Sequence, residues 1–121
     1  MVRSSGTQNE DKAALVYAQS WLRRSPGPDA WANLAAAYAT ESPPDLKRAR
    51  RWYLRAARCG HPRGLFEFGL MLVQGEGGPK RQRRGFHYLR RAAALGQDDA
   101  RKVLDALADS AKGLVAPRRW R

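Results

Sequence analysis

The chain has 121 residues, with 23 basic and 11 acidic side chains and a net charge of +12. This length suits one domain with its own core, since a chain of this size buries about 65% of its unfolded surface on folding. No apolar run approaches the ~18 residues of a membrane-spanning helix, and the polar, acidic start of the chain lacks an apolar signal segment, so the predicted compartment is the cytoplasm.

Apolar spacing, prolines and glycines predict six helices and no strand. In the clearest of these, apolar residues recur at i, i+3, i+4, i+7 and i+8, Asp45 is placed to cap the first turn and Gly60 follows the end. The predicted helices span about residues 10–24, 29–40, 45–58, 62–74, 81–95 and 98–112. Together they predict a single domain over residues 10–112, between a disordered N-terminus at 1–9 and a basic C-terminal tail at 113–121.

Residues 49–64 and 85–100 are two copies of one pattern at a constant offset of 36. The matched pairs are Ala49 and Gly85, Trp52 and Tyr88, Tyr53 and Leu89, Ala56 and Ala92, Ala57 and Ala93, Gly60 and Gly96, and Gly64 and Ala100. A fixed period of this size is typical of helical repeat arrays. Such arrays bury a core between neighbouring repeats and leave long surfaces free, so their usual function is to bind another macromolecule.

The residues of this repeat resemble those of the Sel-like repeat family. The resemblance rests on the segment from Ala49 to Ala57 with Gly60, and on Phe68, Gly69, Leu72, Gly75 and Gly77. It covers about residues 28–108. It implies an all-α fold, an α/α solenoid of about three helix-turn-helix repeats related to the tetratricopeptide repeat. It also implies a protein-interaction adaptor without catalytic activity.

The helix predicted at residues 62–74 is apolar on two sides. Its packing stripe consists of Leu65, Phe68, Gly69 and Leu72, and a second stripe at i, i+4, i+7 consists of Phe66, Leu70 and Val73. By resemblance to tetratricopeptide geometry, this second stripe lies on the concave surface with Ala32 and Ala36, as a candidate groove for a partner's peptide or helix. Two alternatives would also bury it: a homodimer, or neighbouring helices and the tail, which carries Leu114, Val115 and Trp120.

Basic residues are concentrated in the repeats. Residues 46–91 contain 13 basic and two acidic side chains, whereas residues 1–45 contain four basic and five acidic ones. Lys47, Arg48 and Arg55 recur 36 positions later as Arg83, Arg84 and Arg91, which predicts rows of charge along the outer helices. An ordinary solvent-exposed face explains part of this pattern.

The loop before residues 81–95 is harder to explain in that way. Where the first repeat has Asp45, the second has Arg81, followed closely by Arg83 and Arg84. A cation at a helix N-terminus opposes the helix dipole by a few tenths of a kcal/mol, so local stability does not account for it. These arginines are predicted to attract an acidic partner. The predicted partner-binding set is Phe66, Leu70, Val73, Ala36, Arg81, Arg83 and Arg84.

Phosphate groups would respond to the same charge, so a nucleic-acid-associated or ribosome-associated factor without base recognition is the alternative function. An anionic membrane surface has less support, because no helix joins the basic face to an unburied apolar face of sufficient length.

The sequence predicts no enzyme, metal site or cofactor: His61 and His87 lack neighbours at metal-ligand spacing, and no nucleophile or phosphate-loop motif is found. The favoured function is an adaptor that binds an acidic protein, in the manner of an immunity protein, a chaperone or a regulatory subunit.

Overall fold

The structure is a computed structural model that describes residues 15–20, 23–24 and 26–119, with residues 110–119 described as helix backbone only. Five helices are numbered in chain order: α1 Pro28–Ala39, α2 Leu46–Arg58, α3 Pro62–Gln74, α4 Gln82–Ala94 and α5 Asp98–Arg119. Residues 15–20 and 23–24 are also helical and lie within the first predicted helix, whereas residues 1–9 fall outside the described part. The described residues contain no strand, so the all-α prediction is confirmed.

Each helix packs against the next one, and α1 also contacts α3. This order makes α1 and α2 one repeat and α3 and α4 the second, with α5 beginning a third layer, as in an α/α solenoid. Leu34, Leu65 and Leu89 are the largest fully buried side chains, and they lie on α1, α3 and α4. Alanines fill the interfaces between them, since Ala49, Ala56, Ala57, Ala92 and Ala100 are all fully buried. The predicted repeat positions therefore form the core.

Two glycines set how closely α3 and α4 approach each other. A Cβ atom placed on Gly85 would lie 2.8 Å from the carbonyl oxygen of Gly69 and 2.5 Å from Cγ2 of Val73. A Cβ atom on Gly69 would lie 3.0 Å from the carbonyl oxygen of Gly85. The helix backbones therefore meet at this pair, which leaves no room for a side chain.

His61 connects α3 to the first repeat. Its Nδ1 accepts a hydrogen bond from the backbone N–H of Gly64 at 3.1 Å and so caps the first turn of α3. Because Nδ1 is the acceptor, Nε2 carries the proton and donates to the carboxylate of Asp29, at 2.6 Å. His61 is thus a structural residue of the repeat turn.

The starts of α2 and α4 have the same backbone but different caps. The N–H of Asp45 donates to the carbonyl of Tyr38 at 2.9 Å, and the N–H of Arg81 donates to the carbonyl of Leu72 at 2.8 Å. The Asp45 side chain then accepts a bond from the N–H of Arg48. Arg81 provides no such bond, so the first turn of α4 lacks a side-chain cap.

The last helix is longer than predicted. It was expected to end at Lys112, but α5 continues through Gly113 to Arg119, so most of the predicted tail is helical. A single glycine costs only about 1 kcal/mol relative to alanine inside a helix, and the alanines and leucine around it favour the helix. Asp105, which stands where α3 has Gly69, is exposed on this helix.

Replacing Gly85 with Ala should lower the free energy of unfolding by about 2 kcal/mol, because the new methyl group meets the Gly69 carbonyl and Val73. At an unhindered helix position the same change would raise stability by up to about 1 kcal/mol. Urea denaturation followed by circular dichroism measures the difference. Ala94→Ser, at an exposed position of the same helix, is the control, and a stabilised Gly85→Ala protein would contradict the close approach.

Replacing Arg81 with Asp should raise the free energy of unfolding by about 1 kcal/mol. The new carboxylate would accept from the N–H of Arg84, as Asp45 does from Arg48, and would favour the positive end of the helix dipole. Asp45→Ala is the matched reverse change and should cost a similar amount. Both are measured by the same denaturation experiment, and a loss of stability in Arg81→Asp would show that Arg81 has a structural role.

Candidate functional site

The predicted concave stripe is only partly accessible. Val73 is 8% exposed and its side chain lies against Gly85, while Ala32 is 1% exposed. Phe66, Leu70 and Ala36 are half-buried and pack against the core. Among the described residues, the large apolar side chains that are mostly exposed are instead Val16, Tyr17 and Leu95. The stripe therefore offers a partner the edges of Phe66 and Leu70 rather than an open apolar surface.

The predicted basic residues are all exposed at the start of α4. Arg81, Arg83 and Arg84 line one open depression together with Gln82. Neither Phe66 nor Leu70 lines this depression. The structure thus brings the three arginines together but does not join them to the apolar stripe in one pocket.

A second depression connects the start of α4 to α2. This basic groove has a volume of about 360 Å³, and five cationic side chains surround it: Lys47, Arg50, Arg51, Arg81 and Arg84. Leu54, Phe68 and Leu72 form its apolar floor, and the loop residues Gly77, Gly78 and Pro79 close one side. Among the described residues that line it, none carries a carboxylate. The groove therefore concentrates positive charge at a site with apolar walls, which strengthens its field.

Arg50 holds the loop that forms the edge of this groove. Its guanidinium donates to the carbonyl of Glu76 at 3.0 Å and to the carbonyl of Pro79 at 2.8 Å, and it lies over the ring of Phe68 at 5.9 Å. Burial lowers the pKa of Arg50, and the neighbouring positive charge of Arg81 lowers it further. Because its partners are carbonyl groups, Arg50 satisfies its hydrogen bonds without neutralising its charge.

Sequence reasoning missed Lys47, Arg50 and Arg51 as members of one site with Arg81 and Arg84. One signal was available, because the residue 36 positions after Arg50 is Phe86, which is half-buried against the core. An arginine at a position that is apolar in the other repeat indicates a specific local role.

A third depression continues along α2. It is lined by Arg51, Trp52, Leu54, Arg55 and Arg58, and we call it the arginine–tryptophan depression. The guanidinium carbon of Arg55 lies 4.5 Å from the ring centre of Trp31 and 5.5 Å from that of Trp52. This cation–π contact fixes Arg55 against both rings.

The few acidic groups of the second repeat lie outside these depressions. Burial raises the pKa of Glu67, an effect that Arg63 opposes and that Glu76 and Asp99 reinforce. Burial likewise raises the pKa of Tyr53 to about 12. Neither Glu67 nor Glu76 lines the basic groove.

Few residues in the described part of the chain are suited to metal binding, thiol chemistry or membrane insertion. No group of three or more His, Cys, Asp or Glu side chains is arranged there to hold a metal ion. Cys59 is exposed and unpaired, at the end of α2. Among the helices of the described residues, none combines the length and apolar character needed to cross a bilayer.

Comparison with known proteins agrees with the division into repeats. The family model described as the Sel1 repeat matches residues 28–61 and 62–97. The first match begins at Pro28, the start of α1, and the second at Pro62, the start of α3. No curated protein matches the chain significantly. Sel1 repeats generally mediate protein–protein interaction. Because the two matches cover more than half of the sequence, the chain belongs to the Sel1 repeat family.

Proposed function

We propose that this protein is an adaptor that binds an acidic segment of a protein partner through the basic groove between α2 and the start of α4. The observation that carries the proposal is the set of five cations around that groove with no carboxylate among the lining residues. A protein partner is favoured because Sel1 repeats generally act in protein–protein interaction.

The groove is maintained at a cost to local stability. Arg81 occupies a cap position without making a cap, and its charge lies close enough to Arg50 to lower the pKa of that guanidinium. Residues that break local rules without a compensating contact are expected at functional sites. The surrounding charge would accelerate encounter with an acidic partner and orient it, which affects association rate and specificity more than affinity.

The stripe of Phe66 and Leu70 is a second proposed contact, separate from the groove. These side chains are half-buried, so a partner would cover their remaining exposed edges. Ala36 is half-buried as well, whereas Val73 contributes little because it packs against Gly85.

Nucleic acid is the second candidate partner. The observation that favours it is the arginine–tryptophan depression, in which Trp52 stands among Arg51, Arg55 and Arg58. Basic side chains beside an aromatic ring are typical of surfaces that hold single-stranded nucleic acid without reading its sequence. This candidate predicts binding that weakens steeply as salt rises.

A pull-down from nuclease-treated lysate, with bound proteins identified by mass spectrometry, tests the proposal. We expect one acidic protein to be retained in stoichiometric amount at moderate salt. The groove variant Lys47→Glu with Arg84→Glu should lose it, because both side chains line the groove. The control Arg90→Glu with Arg91→Glu makes the same change in net charge at exposed positions outside the groove and should retain it.

Two results would contradict the adaptor. Equal loss of the protein in the groove variant and in the control would show that binding depends on net charge and not on the groove. Retention of nucleic acid and ribosomal proteins from untreated lysate, with nothing retained after nuclease, would identify nucleic acid as the partner.

The second contact has its own test. Replacing Leu70 with Ser should lower the free energy of unfolding by about 1–2 kcal/mol, since a half-buried leucine is lost, and should weaken partner binding in the folded protein. Thermal denaturation and the pull-down measure the two effects. Leu95→Ser, at an exposed leucine on the end of α4, is the control. Unchanged binding by folded Leu70→Ser protein would remove the stripe from the interface.

A further inference from the structure

The basic groove and the arginine–tryptophan depression form one continuous track. Both are lined by Arg51 and Leu54, so each begins where the other ends. Together they follow α2 from Lys47 to Arg58. We call this surface the basic track.

The two ends of the track differ in chemistry. At the groove end, cations come from two helices and the loop between α3 and α4, and the apolar floor is deep, since Phe68 and Leu72 are 5% and 2% exposed. At the other end, Trp52 and Leu54 are half-buried, and the long stems of Arg55 and Arg58 lie beside them. The groove end thus suits carboxylates, and the other end suits an apolar side chain that lies along ring edges and arginine stems.

The distance between the two ends of the track determines how far apart a ligand's acidic and apolar side chains must be. The α2 residues at the groove end, 47–51, and those at the far end, 55–58, are separated by about 11 Å at the 1.5 Å rise per residue of a helix. An extended peptide covers that distance in about three residues.

We propose that the basic track binds an extended peptide in which a cluster of acidic residues is followed, about three residues along, by an apolar side chain that packs beside Trp52 on the stems of Arg55 and Arg58. This inference rests on the proposed function and adds the kind of sequence that the adaptor selects. The acidic cluster lies between Lys47, Arg51 and Arg84.

The packing of Arg55 favours a peptide over a nucleic-acid strand. A base stacks on the open face of an aromatic ring, but the guanidinium of Arg55 lies over the ring of Trp52, at 5.5 Å, and is itself fixed against Trp31. A leucine-sized side chain needs no open ring face, since it can pack beside Trp52 on the stems of Arg55 and Arg58, which line the same depression.

Fluorescence anisotropy at near-physiological salt tests the inference with three labelled peptides of equal charge. The first has three consecutive glutamates and a leucine three residues after them, in a Ser/Gly background. The second has serine in place of the leucine, and the third has the leucine directly after the glutamates. We expect the first to bind about fivefold more tightly than either of the others, because only its leucine reaches the apolar end of the track.

Matched variants show where the peptide lies. Arg84→Glu should weaken binding of the first peptide about tenfold, whereas Arg90→Glu, at an exposed arginine of the same helix outside the groove, should weaken it less than twofold. Arg81→Asp, which is expected to be more stable than the original protein, should also weaken binding. That result cannot come from unfolding.

The outcomes separate this inference from the proposed function. Equal binding of all three peptides, lost in Arg84→Glu, would overturn the spacing and leave an adaptor that recognises charge alone. Failure of every peptide to bind, while the groove variant still loses an acidic protein in the pull-down, would overturn the inference and keep the adaptor. Displacement of the first peptide by an equal concentration of single-stranded oligothymidylate would overturn it in favour of nucleic acid.

Discussion

The close contact of α3 and α4 at Gly69 and Gly85 decides where the basic side chains of the second repeat lie. With no side chain between the two backbones, α4 begins beside the loop that leaves α3. Arg50 then binds two carbonyls of that loop from α2. These contacts place Arg81 and Arg84 opposite Lys47 and Arg51, and a wider spacing of α3 and α4 would open the groove between them.

The arginines of α2 serve two purposes. Arg48, Arg50 and Arg55 lie over the rings of Tyr38, Phe68 and Trp31, so part of the positive charge contributes to packing between neighbouring helices. These contacts use the guanidinium faces and leave the charge in place. Arg50 and Arg55, which both line the basic track, are therefore held in place before a partner binds. Preorganisation of this kind reduces the entropy that binding costs.

At the start of α4, the function that we propose for Arg81 comes at a cost in stability. The first repeat has the favourable cap at Asp45, while the second repeat keeps the same backbone hydrogen bond and has Arg81 in its place. A more stable sequence is therefore available to the protein at a single position. Trade-offs of this kind are common where a site must present charge that the fold alone would not retain.

The local sequence was sufficient to predict the helices. Apolar spacing with prolines and glycines predicted α3 at its observed residues and the other helices to within a few, apart from the end of α5, where a glycine without further stop signals did not end the helix. The offset of 36 identified the alanine positions that the structure buries. Helix formation and repeat packing depend on residues near in sequence or one period apart, so the sequence by itself determined the fold and the exposure of Arg81, Arg83 and Arg84.

Only the tertiary structure decided which charges share a site. The groove joins Lys47 and Arg51 to Arg84, residues more than 30 positions apart, and it depends on where the loop at residues 75–81 lies against α2. The structure also showed that Phe66 and Leu70 are half-buried and Val73 is buried, whereas their spacing left open whether a partner, a second copy or neighbouring helices cover them. Periodicity shows which side of a helix a residue occupies. How far a neighbouring helix covers that side depends on interhelical distance and angle, which the packing of distant residues sets.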